Sequence, residues 1–112
     1  MKIRTSSLDE STIVLELEIG DEGDLVDMMD ERENGFALFG DAVEIPMAVI
    51  DGRLISESWF TTDHLLAIEA HELGHIRMMS AEEPVAEREG IRLLMTSGHS
   101  EAAEILKDRG IA

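Results

Sequence analysis

The residues best suited to chemistry in this sequence form the segment His71-Glu72-Leu73-Gly74-His75. Residues four apart on an α-helix differ by about 40° around its axis and one turn along it, so both imidazoles face one point. Two nitrogen ligands in this arrangement suit a zinc ion. Glu72 flanks the point, where its carboxylate can accept a proton from a zinc-activated water. The spacing therefore predicts Zn²⁺ ligands at His71 and His75 and a general base at Glu72.

A hydrolytic zinc site needs a third protein ligand and one open position. The chain has no cysteine, which excludes thiolate ligands. The metzincin pattern is excluded as well, because Met78 and Ala81 stand where it requires glycine and histidine. The remaining source is a carboxylate of the next helix, for which the candidates are Glu82, Glu83, Glu87 and Glu89.

The segment HELGH, followed by Glu83-x-x-Ala86-Glu87 and by Leu93-Leu94-Met95, resembles the gluzincin metallopeptidases. It is most similar to compact members, the ImmA/IrrE-type and minimal gluzincins, and the resemblance covers roughly residues 60–95. The resemblance implies a zincin-like fold, peptide-bond hydrolysis and Glu83 as the third zinc ligand. It places Glu87 at the position that supports a ligand histidine.

The sequence departs from that pattern in ways that leave a second ligand open. Seven residues separate His75 from Glu83, which requires a tight turn at Ser80-Ala81. Glu83 also precedes Pro84, so it belongs to the first turn of its helix. Glu87 lies one turn further along the same face and is the alternative third ligand.

The other two histidines have different expected roles. His64 lies about 10 Å from His71 along the helix axis, too far to bind the same ion, and is expected to cap the helix or lie at the surface. His99 follows the glutamate helix and is the candidate to stabilise a tetrahedral oxyanion, since the chain has no tyrosine. An ordinary loop histidine is the alternative reading of His99.

Helices are predicted for the second half of the chain. N-cap oxygens at Thr61, Thr62 or Asp63 precede an apolar-periodic stretch. Gly74 within it indicates close approach of another element, with a neutral packing glycine as the alternative. The predicted helices are His64–Met79, Glu82–Met95 and Glu101–Arg109, the last ended by Gly110.

The first half of the chain is predicted to be mostly extended. Thr12–Ile19 alternates apolar residues with glutamates, with Met1–Ser6 as its hairpin partner. Asp51-Gly52 favours a hairpin turn, and Pro46 suggests an edge strand or a bulge. The remaining predicted elements are an acidic helix Asp21–Asn34 ended by Gly35, and strands Phe36–Phe39, Val43–Ile50 and Arg53–Ser56.

Composition limits the class of protein and its partners. Against 9 basic residues there are 25 acidic ones, a net charge of −16, which argues against nucleic acid and anionic membranes as partners. No apolar run approaches the roughly 18 residues of a transmembrane helix, and the start lacks the apolar stretch of a secretory signal. We therefore expect a cytoplasmic single domain over residues 1–112, of α+β class, with a small mainly antiparallel sheet packed on the HExxH helix.

The leading functional hypothesis is a zinc metallopeptidase that acts on a peptide or protein substrate. By analogy with zincins, the substrate would add as a strand to an edge near Val43–Ser56. The alternative is a zincin-fold protein that binds zinc or a protein partner with little or no turnover. An acidic decoy or DNA mimic is a more distant reading, suggested by the charge alone. Oligomeric state is left open by the sequence.

Overall fold

A four-stranded sheet and four α-helices form the fold in the computed structural model, which describes residues 1–32 and 34–109. A short 3₁₀ helix, Gly52–Ser56, connects the sheet to the long central helix. The strands are β1 (Lys2–Thr5), β2 (Ile13–Glu16), β3 (Gly35–Leu38) and β4 (Met47–Ile50), and the helices are α1 (Asp24–Arg32), α2 (Thr62–Met78), α3 (Glu83–Thr96) and α4 (Ser100–Arg109).

The sheet has the strand order β1-β2-β4-β3. Strand β1 pairs antiparallel with β2, β2 pairs parallel with β4, and β4 pairs antiparallel with β3. Two of the three pairings are therefore antiparallel, which confirms the predicted α+β class with a small, mainly antiparallel sheet. The hairpin of β1 and β2 is confirmed too, and β3 forms the edge on the other side of the sheet.

Both faces of the sheet are buried, because successive side chains of β2 enter different cores. Val14 packs with Ile68 and Ile76 of α2, whereas Leu15 packs with Val26 and Met29 of α1. Helix α2 thus covers one face of the sheet and the acidic helix α1 covers the other.

Helix α2 is covered on its far side by α3 and α4. Ala67 and Ala70 of α2 share a cluster with Leu94 of α3 and with Ala103 and Leu106 of α4. The layers are therefore α1, sheet, α2, and finally α3 with α4. None of the helices in the described part of the chain combines the length and the apolar character of a membrane-spanning segment.

The hairpin predicted at Asp51-Gly52 is wrong. The Asp51 side chain accepts a hydrogen bond from the backbone N–H of Arg53 and caps the 3₁₀ helix, so Arg53–Ser56 is not a strand. A Cβ at Gly52 would lie 2.5 Å from the carbonyl oxygen of Leu17, so glycine is required for close packing rather than for a hairpin. Because β4 begins after Pro46 and lies between β2 and β3, the predicted edge strand at Val43–Ser56 is also wrong.

The sequence suggested that Gly35 ends the acidic helix, but this prediction is wrong. Asn34 takes the left-handed conformation there, with φ 66°, and Gly35 is the first residue of β3. The helix observed is Asp24–Arg32, and Glu33, within the predicted range, is outside the described residues. The stop predicted at Gly110 is also outside them.

Candidate metal centre

Helix α2 carries the HExxH segment and starts at a capping box. The side chain of Thr61 accepts from the backbone N–H of His64, and Nδ1 of His64 accepts from the N–H of Thr61 at 3.2 Å. This confirms the predicted capping role of His64. Every residue from Ala67 to Ile76 is buried, because α2 lies between the sheet and the outer helices. The chemistry-bearing residues are therefore held by the central layer of the core.

The rings of His71 and His75 lie side by side on one face of α2, with centroids 4.9 Å apart and planes at 88°. Nδ1 of His75 is 2.7 Å from the carbonyl oxygen of Ser80. A carbonyl only accepts, so Nδ1 carries the proton and donates it, which leaves the Nε2 lone pair of His75 for a metal. Phe39 stacks on the same ring, at 6.3 Å between centroids and 15° between planes.

Glu83 brings a carboxylate to both imidazoles. Its Oε2 lies 2.6 Å from Nε2 of His71, and its Oε1 lies 3.3 Å from Nε2 of His75. One ligand atom from each of the three residues can be chosen so that all lie within 4.8 Å of one another. With 47% of its side chain exposed, Glu83 has room to shift outward and admit an ion between itself and the imidazoles.

Glu87, the alternative ligand, lies near His71 but outside this group of three. Among the described residues, Oε1 of Glu87 and Nδ1 of His71 are buried and have no hydrogen-bond partner. Burial lowers the pKa of His71 below its usual range, while the negative charges of Glu83 and Glu87 act in the opposite direction. The neutral imidazole that burial favours is the form that binds a metal.

Two glycines allow α3 to approach α2 closely enough to deliver these carboxylates. A Cβ at Gly74 would overlap the carbonyl oxygen of Ala86, and one at Gly90 would lie 2.8 Å from the carbonyl oxygen of Ala70. The helices thus cross with backbone against backbone. The close approach predicted from Gly74 is confirmed.

Glu72 is buried and faces a cleft of about 540 Å³. A Cβ at Gly35 would lie 3.3 Å from Oε2 of Glu72 and 2.9 Å from Cγ2 of Ile68, so the glycine leaves space for both side chains. One wall of the cleft comes from α2, another from the edge strand β3 and the third from the α2–α3 turn. Its lining residues are Arg32, Asn34, Gly35, Phe36, Ala37, Phe39, Ile68, His71, Glu72, His75, Ala81 and Glu83.

The structure does not bring His99 into this site. His99 precedes α4, where its carbonyl accepts from the N–H of Ala103. It follows the C-terminal end of α3, whereas Glu83 starts that helix, and 14 residues of helix span about 20 Å. His99 is therefore too far from the cleft to stabilise an oxyanion there, and the loop reading of His99 fits the structure.

Two further glutamates considered as ligands have other roles. Glu89 pairs with Arg77 at 3.0 Å and with Arg92 on its own helix, and these contacts lower the pKa of Glu89 to about 2. Glu82 is exposed and occupies the N-cap of α3 without a capping side-chain bond.

Sequence reasoning missed three contributions to the site. The Ser80 carbonyl reaches His75 through the turn that ends α2, and a backbone carbonyl has no residue-type signal. Phe39 reaches His75 by long-range packing of the loop after β3, which no local pattern encodes. The sequence favours Gly35 as a helix end, although a glycine beside a predicted strand can also indicate close approach of a neighbour.

Comparison with protein-family profiles, curated proteins and solved structures finds no match to this chain.

Proposed function

We propose that this protein is a zinc-dependent metallopeptidase. The observation that carries the proposal is the Glu83 carboxylate, which contacts Nε2 of both His71 and His75 beside the buried carboxylate of Glu72. Two imidazoles and one carboxylate are a donor set typical of hydrolytic zinc sites, and a general base next to them has no use in a purely structural site.

The residues present fit a zinc ion. The bond from Nδ1 of His75 to Ser80 leaves Nε2 of that ring unprotonated, and the charge of Glu87 acts on His71, whose buried Nδ1 is unpaired. In this proposal Glu83 is the third ligand. Glu87 would orient His71 by accepting a hydrogen bond from its Nδ1–H when zinc is bound, a bond that neither group makes in the present structure. Bound zinc would supply Lewis acidity, which activates water and polarises the scissile carbonyl.

Glu72 is proposed to act as the general base and then the general acid. Its carboxylate takes a proton from the attacking water and passes it to the nitrogen of the leaving amine. Burial at 6% exposure keeps Glu72 in one place beside the ligands. The cleft in front of it is bounded by an edge strand, so an extended peptide can reach it.

The substrate is proposed to bind along β3 rather than along the segment around Val43–Ser56. Strand β3 is at an edge of the sheet and lines the cleft, whereas β4 is enclosed by neighbours on both sides. An extended peptide that pairs with the outer edge of β3 would lie across the cleft in front of Glu72.

Metal analysis and cleavage of a peptide library test the proposal on the wild type and four variants. We expect Glu72→Gln to keep zinc and lose cleavage by about 100-fold or more, because only proton transfer is removed. Glu83→Gln should lose zinc, and Glu87→Gln should bind it about 10- to 100-fold more weakly. Glu82→Gln is the matched control, since it removes an equal charge at the adjacent exposed position.

The outcomes separate the alternatives. A wild type that cannot be loaded with zinc contradicts the metal site itself. Loss of zinc in Glu87→Gln together with its retention in Glu83→Gln contradicts the choice of ligand. A wild type that binds zinc but cleaves no peptide supports the zincin-fold binding protein without turnover.

A further inference from the structure

Arg32 is the only positively charged side chain other than histidine among the described residues that line the cleft. It lies in the last turn of α1, and its guanidinium carbon is 5.7 Å from the centre of the Phe36 ring on the edge strand β3. The stacking on Phe36 holds the cation beside the edge at which an added strand would pair. A peptide paired with that edge would therefore pass close to Arg32.

The guanidinium of Arg32 is not neutralised within the described part of the chain. Four other arginines, Arg4, Arg53, Arg77 and Arg92, each pair with a carboxylate. The protein has 25 acidic residues, yet none of those described lies within ion-pair distance of Arg32. A free guanidinium at the rim of a cleft is suited to a carboxylate supplied by the ligand, which it can bind in a bidentate manner.

The direction of β3 decides which end of a peptide reaches Arg32. Gly35 at the start of the strand lies against Glu72, and Phe39 just beyond its end stacks on His75. Antiparallel pairing is the more stable mode, and it would place the amino end of the substrate near Phe39 and its carboxyl end near Arg32. Arg32 would then meet the substrate on the carboxyl-terminal side of the scissile bond, within a few residues of it.

We propose that Arg32 is a specificity residue that binds a carboxylate on the carboxyl-terminal side of the scissile bond. The carboxylate is either the free C-terminus of a short product segment or an acidic side chain at that position. The inference rests on the proposed peptidase function and extends it by naming the chemistry of the preferred substrate. Arg32 would give the cleft a local preference for anions, although the net negative charge of the protein repels them overall.

Paired peptides test this proposal on the zinc-loaded full chain. A cleavable peptide is prepared with its C-terminus one to three residues beyond the scissile bond, as a free acid or as an amide. A second set keeps the amide and places Glu or Gln at the same positions. We expect kcat/KM to favour the carboxylate by about tenfold or more at one spacing. Comparison of the two sets shows whether the C-terminus or the side chain is recognised.

Variants at two arginines assign the effect. Arg32→Gln should reduce the carboxylate preference to near unity, and Arg32→Lys should restore part of it because a point charge replaces the bidentate contact. Arg88→Gln is the matched control, because Arg88 is exposed on α3, outside the cleft lining. A preference near unity in the wild type, or one that persists in Arg32→Gln, overturns the proposal.

A binding measurement separates failure of this proposal from failure of the peptidase function. The affinities of zinc-loaded Glu72→Gln and Glu72→Gln/Arg32→Gln for the same peptide pairs are measured by fluorescence anisotropy. Tighter binding of the carboxylate, lost with Arg32, supports the proposal whether or not the wild type cleaves. Equal affinities for acid and amide contradict it, while absence of cleavage alone contradicts only the peptidase function.

Discussion

Gly74 of α2 faces the carbonyl oxygen of Ala86 in α3, with no room between them for a side-chain carbon. The carboxylate of Glu83 reaches both histidines because the two helices approach this closely. The contact between Gly74 and Ala86 therefore sets the distance between the two halves of the proposed metal site.

Gly74→Ala should weaken zinc binding and destabilise the fold. Displacement of α3 by the new methyl group would cost about 3 kcal/mol and move Glu83 away from the imidazoles. Isothermal titration with zinc and urea unfolding measure the two effects. Gly20→Ala is the control, because alanine would be strained at the φ of 97° found there but would meet no neighbouring atom, and Gly20 is far from Gly74 in the sequence. It should lose about 1 kcal/mol of stability and keep its zinc affinity. Unchanged zinc binding in Gly74→Ala would contradict the role of this contact.

Zinc should stabilise the folded protein, and a chelator should remove that gain. The ligands come from two helices that are brought together only by folding, so binding adds about 2.7 kcal/mol when free zinc is 100 times its Kd. Thermal unfolding with zinc or with EDTA measures the shift in Tm. The shift should vanish in Glu83→Gln and persist in Glu82→Gln. An equal shift in both variants would show that zinc binds elsewhere.

Stability should fall in acid partly through Glu89. The bond from Arg92, together with Arg77, lowers the pKa of Glu89 from 4.5 to about 2 in the folded chain. A depressed pKa stabilises the fold above the unfolded value, and this gain is lost as pH falls from about 4.5 towards 2. Glu89→Gln should therefore cost about 1–2 kcal/mol at pH 7, a range that allows for solvent screening of the exposed arginines, and almost nothing at pH 2. Urea unfolding across this range measures the difference. Glu101→Gln, at an exposed position on α4, is the control and should show little pH-dependent loss of stability. A loss in Glu89→Gln that does not change with pH would contradict the lowered pKa of Glu89.

Met79→Gly should stabilise the protein. Met79 ends α2 in the left-handed conformation, with φ 48° and ψ 45°, and the residue is 61% exposed. Relief of the Cβ strain should exceed the entropy cost of glycine and give about 0.5–1 kcal/mol in chemical unfolding. Met78→Gly, within the last turn of the helix and similarly exposed, should instead lose about 1 kcal/mol. Equal losses in both variants would argue against strain at Met79.

The sequence predicted those parts of the site that depend on local spacing. His71 and His75 share a face because they are four residues apart on a helix, and the apolar period and N-cap of α2 are local as well. The close approach at Gly74 could be inferred because glycine inside a helix is costly. The choice of Glu83 as the third ligand was less certain, because it depends on the short turn between α2 and α3. The sequence therefore left Glu87 as an alternative ligand.

The topology of the sheet could not be predicted in the same way. The parallel pairing of β2 with β4 joins residues more than thirty positions apart, as in Ile13 with Met47, and no local pattern encodes it. Asp51-Gly52 is a strong hairpin signal, yet here Asp51 caps a 3₁₀ helix and Gly52 packs against Leu17. Tertiary packing therefore outweighs the local turn preference. The edge of the sheet is formed by β3, whereas the sequence predicted an edge strand in the region of β4.

Because α2 is buried on both sides, its wall of the cleft has less freedom to change than the walls formed by β3 and by the α2–α3 turn. His71, Glu72 and His75 belong to the innermost layer, so their positions can change only if the core is disrupted. Strand β3 has an open side, and Glu83 stands at the exposed start of its helix. The positions of these three side chains are thus fixed by the fold, whereas substitutions on the open side of β3 can alter the cleft with little disturbance of the core.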